Sequence, residues 1–252
     1  MLNSFSLKAV SPVIEHIPFV NPACVIPAFN DQKYLCFLDS GMNRYGAGRY
    51  SFIGFDPFLI FKSSGEDIEV LTAGMNGSSS IQLQGNPFTI LRQIIDQYKL
   101  SMPDMRSQLP SFLGGGVGYF SYEMRGLIEE LPAKAMDDIN IPDCMFCLYD
   151  VILIFDHKQQ QAYISSSGFP EQDSLRHNRA LYRIKWVKDQ LQLAEVFSVK
   201  GSIANNPVVE RSRNGSSGKS IPTHSLLQSN EGAPLAEGAP LATAITSNFT
   251  KE

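Results

Sequence analysis

Residues 143–156 read Asp143-Cys-Met-Phe-Cys-Leu-Tyr-Asp150-Val-Ile-Leu-Ile-Phe-Asp156, and Cys144 to Phe155 is the longest apolar run in the chain, interrupted by one charge, Asp150. The run falls well short of the roughly 20 residues needed to cross a bilayer as a helix. Apolar residues occupy both alternating faces, so it reads as one strand buried on both sides, with Gln161 to Ser165 pairing back onto it. Cys144 and Cys147 form a C-x-x-C inside this strand, where residues three apart point to opposite faces. A metal knuckle puts that spacing in a turn beside a second pair, so these are core cysteines.

Partners for that strand lie upstream. Lys33-Tyr-Leu-Cys-Phe-Leu38 reads as a first strand, followed by a loop from Asp39 to Gly48. Arg49 to Phe55 and Phe58 to Lys62 read as two more, broken at Asp56-Pro57, because a proline has no N–H for an interior sheet. Glu66 to Leu71 and Ser80 to Leu83 alternate around Gly74-Met-Asn-Gly77 as a hairpin. Asn86-Pro87 supplies a cap and a first-turn proline for a helix to about Tyr98, with Phe88, Leu91, Ile94, Ile95 and Tyr98 at helical spacing. Four glycines in Phe112-Leu-Gly-Gly-Gly-Val-Gly-Tyr-Phe-Ser-Tyr122 suit a strand whose backbone another element approaches closely. Ser174 caps a last helix whose Leu181, Ile184, Val187 and Leu191 form an apolar stripe. Arg176, Arg179, Arg183 and Lys188 are read as its solvated face. The fold class is therefore α+β, an antiparallel β fold with flanking helices.

Composition sets the limits of that unit. The 252 residues are 43% hydrophobic, with 21 basic and 25 acidic side chains and a formal charge of −4. No overall positive field exists to hold nucleic acid or an anionic membrane. Beyond residue 195 the only aromatics are Phe197 and Phe249. The stretch 196–246 is rich in Ser, Asn, Gly, Pro and Ala and contains the repeat Glu231-Gly-Ala-Pro-Leu-Ala, then Glu237-Gly-Ala-Pro-Leu-Ala. Such a segment buries too little apolar surface to offset its ordering entropy, so it is read as a disordered linker or insertion after a domain at 1–195. The N-terminal residues lack a basic start and long apolar run, so the cytoplasm is the expected location.

Motifs for catalysis are not found. Gly218-Lys219-Ser220 resembles a P-loop ending, but Arg213 stands where the motif needs glycine. Gly114, Gly116 and Gly118 miss the dinucleotide fingerprint by one residue. His16, His157, His177 and His224 have no partner in sequence, and the pairs Glu129-Glu130 and Asp137-Asp138 sit on polar loops. No catalytic and no metal-ligating residue is assigned.

Longer-range order says more. Phe37-Leu-Asp-Ser-Gly41, Gly48-Arg-Tyr-Ser-Phe-Ile-Gly-Phe-Asp-Pro57 and Gly115-Gly-Val-Gly-Tyr-Phe-Ser-Tyr-Glu123 resemble the N-terminal region of component I of the chorismate-utilising synthases. The similarity continues through Leu131-Pro132, Pro142-Asp143, Leu148-Tyr-Asp150 and Phe155-Asp-His157. Ser247-Asn-Phe-Thr-Lys-Glu252 looks like the phrase opening the family's chorismate-binding catalytic domain. The resemblance implies a two-layer antiparallel β fold, a linker, and a chain inactive by itself because the catalytic domain is not included. No cofactor is expected in this chain. Magnesium and a glutamine amidotransferase subunit are implied for the full family enzyme.

Two branches are open. Leu38-Asp39-Ser40 is more similar to aminodeoxychorismate synthases, which serve p-aminobenzoate and folate synthesis; anthranilate synthases, of tryptophan synthesis, usually have Leu-Glu-Ser. The resemblance also implies a tryptophan site lined by Ser40, Gly48, Arg49 and Tyr50. The alternative local reading is that Arg49 and Tyr50 merely start a strand and Ser40 caps a turn. A stand-alone tryptophan-binding module is the reading from another class.

Overall fold

The computed structural model describes residues 10–40, 48–74, 77–101, 109–110, 112–129 and 140–194. The linker assigned to 196–246, the phrase at 247–252, loop residues 41–47, Leu131-Pro132 and Asp137-Asp138 lie outside the described residues. Ten strands and two α-helices are described: β1 (Val13–Ile17), β2 (Cys36–Leu38), β3 (Tyr50–Gly54), β4 (Leu59–Ser64), β5 (Asp67–Gly74), β6 (Gly77–Gln84), α1 (Pro87–Gln97), β7 (Gly115–Phe120), β8 (Cys144–Tyr149), β9 (Val151–Asp156), β10 (Gln161–Ser166) and α2 (Asp173–Leu193). They build two antiparallel sheets, ordered β1-β10-β9-β3-β2 and β6-β5-β4-β8-β7.

The apolar run 143–156 is therefore two strands, and Asp150 is where they part. β8 pairs with β4 and β7 in one sheet, whereas β9 pairs with β3 and β10 in the other. Side-chain parity changes at the break. Cys147 and Tyr149 share a core with Ile152 and Ile154, although an unbroken strand would have put odd and even residues on opposite faces. Both faces of the run are apolar because each half is covered on both sides. Val151, Leu153 and Phe155 pack with Ile184, Val187 and Leu191 of α2. Cys144 and Leu148 pack with Leu91 and Ile94 of α1. The third cluster, from both sheets, contains Ile60, Cys147, Ile152, Ile154 and Tyr163. Cys144 and Cys147 fall in different clusters, as expected of core residues on opposite faces, and burial pushes both thiols up to about 12.

Several elements follow the sequence closely. Asn86 caps α1 by accepting the Thr89 N–H at 3.1 Å, with Pro87 in the first turn. The anticipated hairpin pairs β5 with β6 out to Gly74 opposite Gly77. In β7, Gly118 lies opposite Phe146, and a Cβ there would fall 2.7 Å from the Phe146 Cα and inside contact with the Met145 carbonyl. That is the close approach the glycines suggested.

Others differ. β1 precedes the strand read as first and runs along the sheet edge, where Glu15 and His16 break the strand pattern. β2 is only three residues, since Tyr34 adopts φ 52° and turns the chain before Cys36. Ser174 does not cap α2; Gln172 is the N-cap and makes no side-chain capping bond. Ile95 and Leu181 are exposed. Arg183, assigned to the solvated face of α2, is buried, and the Arg179 side chain is only 12% exposed.

Candidate functional site

The expected ligand residues meet at one end of the first sheet. Antiparallel register sets Tyr50 opposite Asp156, and the His157 N–H donates to the Arg49 carbonyl at 2.9 Å. β2 runs alongside and delivers Asp39 and Ser40 to the same end. The organising group is Ser51, which the sequence reading did not single out. Its fully buried hydroxyl donates to Asp39 Oδ1 at 2.8 Å and accepts the Ser40 backbone N–H at 3.1 Å. Its third contact is His157 Nε2 at 2.7 Å. A hydroxyl has one proton, and Asp39 takes it, so His157 carries its proton on Nε2 and donates. All three positions of the hydroxyl are then filled.

This order of groups cannot perform nucleophilic catalysis. In a triad the hydroxyl gives its proton to histidine; here it gives it to a carboxylate, and histidine is the donor. The cluster instead fixes the backbone and carboxylate of Asp39-Ser40.

Arg49 is committed elsewhere. Its Nε lies 3.2 and 3.0 Å from the two Asp156 oxygens, its Nη2 donates to Oδ2 at 2.7 Å, and its guanidinium sits 4.7 Å from the Tyr50 ring centroid. Asp156 also accepts the Lys158 and Gln159 N–H groups. Burial alone would raise the Asp156 carboxyl, but Arg49 and these N–H groups outweigh it and hold it below the usual carboxylate range. Gly48 directly precedes Arg49, and Tyr50 opens β3. Ser40, Gly48, Arg49 and Tyr50 are thus neighbours, with the Arg49 fork already occupied by Asp156.

Among the described residues, no group of three or more His, Cys, Asp or Glu is arranged to hold a metal ion. The magnesium that the family resemblance implies is expected of the full family enzyme, and none of the described residues is assigned to it.

A second polar cluster escaped the sequence reading. Asp150, 1% exposed, faces Arg179 Nε at 2.9 Å and Arg183 Nε at 3.3 Å. Arg183 Nη1 donates to Asp56 Oδ2 at 3.0 Å, and Nη2 reaches the Asp56 carbonyl at 3.4 Å. Burial pushes the Asp150 carboxyl up, against the pull of both guanidiniums. Asp56-Pro57 and Asp150 are the two places where the strands cross from one sheet to the other, so Arg183 ties both crossovers together. A usable signal was present: a lone charge within a buried apolar run requires a partner.

Comparisons with known proteins place the chain in a family. The family described as chorismate binding enzyme matches residues 44–207. The anthranilate synthase component 1 of Acetivibrio thermocellus is 33% identical over 144 residues, 57% of this chain and 28% of that protein. The aminodeoxychorismate synthase component 1 of Bacillus subtilis is 30% identical over 46% of this chain and 23% of its own length. That of Klebsiella aerogenes is 28% identical over 64% and 35%. A crystal structure of anthranilate synthase component I from Streptococcus pneumoniae TIGR4 aligns at 22% identity and TM-score 0.41, covering 74% of this chain and 37% of that one. The chain belongs to the chorismate-binding enzyme family. It resembles component I of the chorismate-utilising synthases and spans 23 to 35% of the length of the three curated relatives named here.

Proposed function

We propose that this chain acts as the non-catalytic N-terminal region of an aminodeoxychorismate synthase component I. The observation that carries the non-catalytic reading is the Ser51 cluster, whose buried hydroxyl and histidine are both committed to holding Asp39-Ser40. The branch rests on Leu38-Asp39-Ser40, because relatives from both branches match at similar identity; the anthranilate branch is the alternative. In the full enzyme the 4-hydroxyl of chorismate is replaced by an amino group, with ammonia from a glutamine amidotransferase partner. This region supplies packing and part of the surface met by that partner.

The cluster also favours a second reading, a tryptophan-binding role. Asp39 keeps one carboxylate oxygen not used by Ser51, an acceptor for an ammonium group, and Ser40 is held rigidly beside it. Incubation of the purified chain with chorismate, magnesium and ammonia is expected to yield no aminated product, and turnover would refute the non-catalytic reading. Calorimetry with tryptophan separates the two readings. Micromolar binding that disappears in Ser40→Ala selects the ligand-binding module, whereas no heat at millimolar tryptophan rejects it.

A further inference from the structure

Beside the two crossovers lies a cavity of about 160 Å³, lined by Pro57, Phe58, Ala73, Asp56, Arg179, Tyr182 and Arg183. It is distant in chemistry from the Ser40 to Tyr50 cluster and shares no residue with it. Its lining combines apolar groups from Pro57, Phe58 and Ala73 with the cationic Arg179 and Arg183. The cationic side is built rather than incidental: the Arg183 side chain is 8% exposed, with Nε 3.3 Å from Asp150 Oδ1 as an ion pair that lacks hydrogen-bond geometry. Arg179 uses only Nε on Asp150. Its terminal nitrogens are not used in that bond, and the side chain keeps 12% exposure.

One group already occupies part of this fork. The Asp56 carboxylate, with its side chain 46% exposed, rests on Arg183 Nη1. Asp56 holds φ 49° immediately before Pro57, a backbone setting that a non-glycine residue adopts at a cost. The Asp56 side of this pair is open to solvent, so an incoming anion can exchange with its carboxylate on the buried Arg183. With Asp56 in place, two arginines face two aspartates and the cluster is neutral. With the Asp56 carboxylate turned to solvent, Asp150 alone faces both guanidiniums, and the cavity carries one net positive charge in front of Arg183 Nη1 and the terminal nitrogens of Arg179, while Arg183 Nη2 stays on the Asp56 carbonyl.

We infer that this cavity is a binding site for a small oxyanion, a carboxylate or phosphate group, and that the Asp56 carboxylate is its built-in competitor. The volume suits a group of that size and excludes a drug-sized ligand. The planar forks supply the bidentate geometry that carboxylates and phosphates take. The site is independent of the branch of the family and of tryptophan binding.

The test is an NMR titration of the arginine side-chain N–H signals in the full chain, with sodium acetate in one arm and inorganic phosphate in the other, against sodium chloride at matched ionic strength. The Arg179 and Arg183 signals are expected to shift saturably in at least one oxyanion arm, and the arm that saturates names the group. Asp56→Asn is expected to tighten that binding about two- to fivefold, by removing the competitor. Arg179→Lys keeps a cation on Asp150, and so the fold, but loses the fork; the midpoint should weaken about tenfold or more while the melting temperature holds. Shifts no different from those in chloride overturn the site. An Asp56→Asn midpoint that is unchanged or weaker overturns the competition.

Discussion

Removing the Asp150 carboxylate should reveal how much the join between the sheets depends on one buried charge. In Asp150→Ala, Arg183, itself 7% exposed, loses the anion beneath it and keeps only the half-exposed Asp56. Breaking a buried pair from one side costs about 3–5 kcal/mol, because the remaining charge is stranded in a poorly solvating interior. Arg179 moderates this, since its side chain keeps 12% exposure, and the lower end, about 3 kcal/mol, is the expected loss. For a domain of this size that corresponds to a fall of about 6–12 °C in Tm. The single tryptophan, Trp186, is placed to report it. Its ring lies 5.8 Å from that of Phe55 and 5.6 Å from the Arg183 guanidinium, so fluorescence in a urea titration follows this junction directly. Replacing Asp150 and Arg183 together with leucine should recover part of the loss, since an apolar pair escapes the desolvation penalty. A loss in Asp150→Ala below about 1 kcal/mol, the worth of a surface ion pair, would refute the reasoning. So would a double variant whose loss is merely the sum of the two single ones.

Two further outcomes test the packing and the electrostatics. Gly118→Ala forces a methyl group against the Met145 carbonyl and the Phe146 Cα, backbone that cannot step aside; a loss of about 1–3 kcal/mol or more is expected in the same urea assay, and an unchanged midpoint would contradict the close approach of β7 and β8. Asp156 bears on pH. Its folded-state carboxyl lies below the usual value, so its contribution is present above about pH 4 and is lost as pH falls through the lower folded value. The stability gap between the wild type and Asp156→Asn should therefore be full at neutral pH and close in acid. A gap that stays constant down to unfolding would exclude the Arg49 pairing as its source.

The candidate site was half legible. Leu38-Asp39-Ser40 and Gly48-Arg49-Tyr50 could be picked out as family-like strings, and register does bring them to one sheet end. Ser51 could not be, because a serine in a strand looks like any other strand serine until its three partners, Asp39 and Ser40 just beyond β2 and His157 just beyond β9, close around it. Arg49 looked like a ligand group for the opposite reason: its use by Asp156, 107 residues away, leaves no local trace.

Sequence by itself determined the secondary structure wherever the physical cause is local. The Asn86-Pro87 cap, the β5–β6 hairpin, the glycine-rich strand and the apolar stripe of Ile184, Val187 and Leu191 all depend on near neighbours in the chain. Tertiary structure decided what becomes of the run 143–156. Hydrophobicity marks a residue for burial without saying against what, so one apolar run and one run split between two sheets share the same pattern. Asp150 can stand at the break because Arg179 and Arg183, from a helix more than twenty residues later, pair with its buried carboxylate there. For the same reason the arginines of α2 were read as solvated: the surface of a helix can be read from its period, but the charge waiting opposite it belongs to another part of the chain.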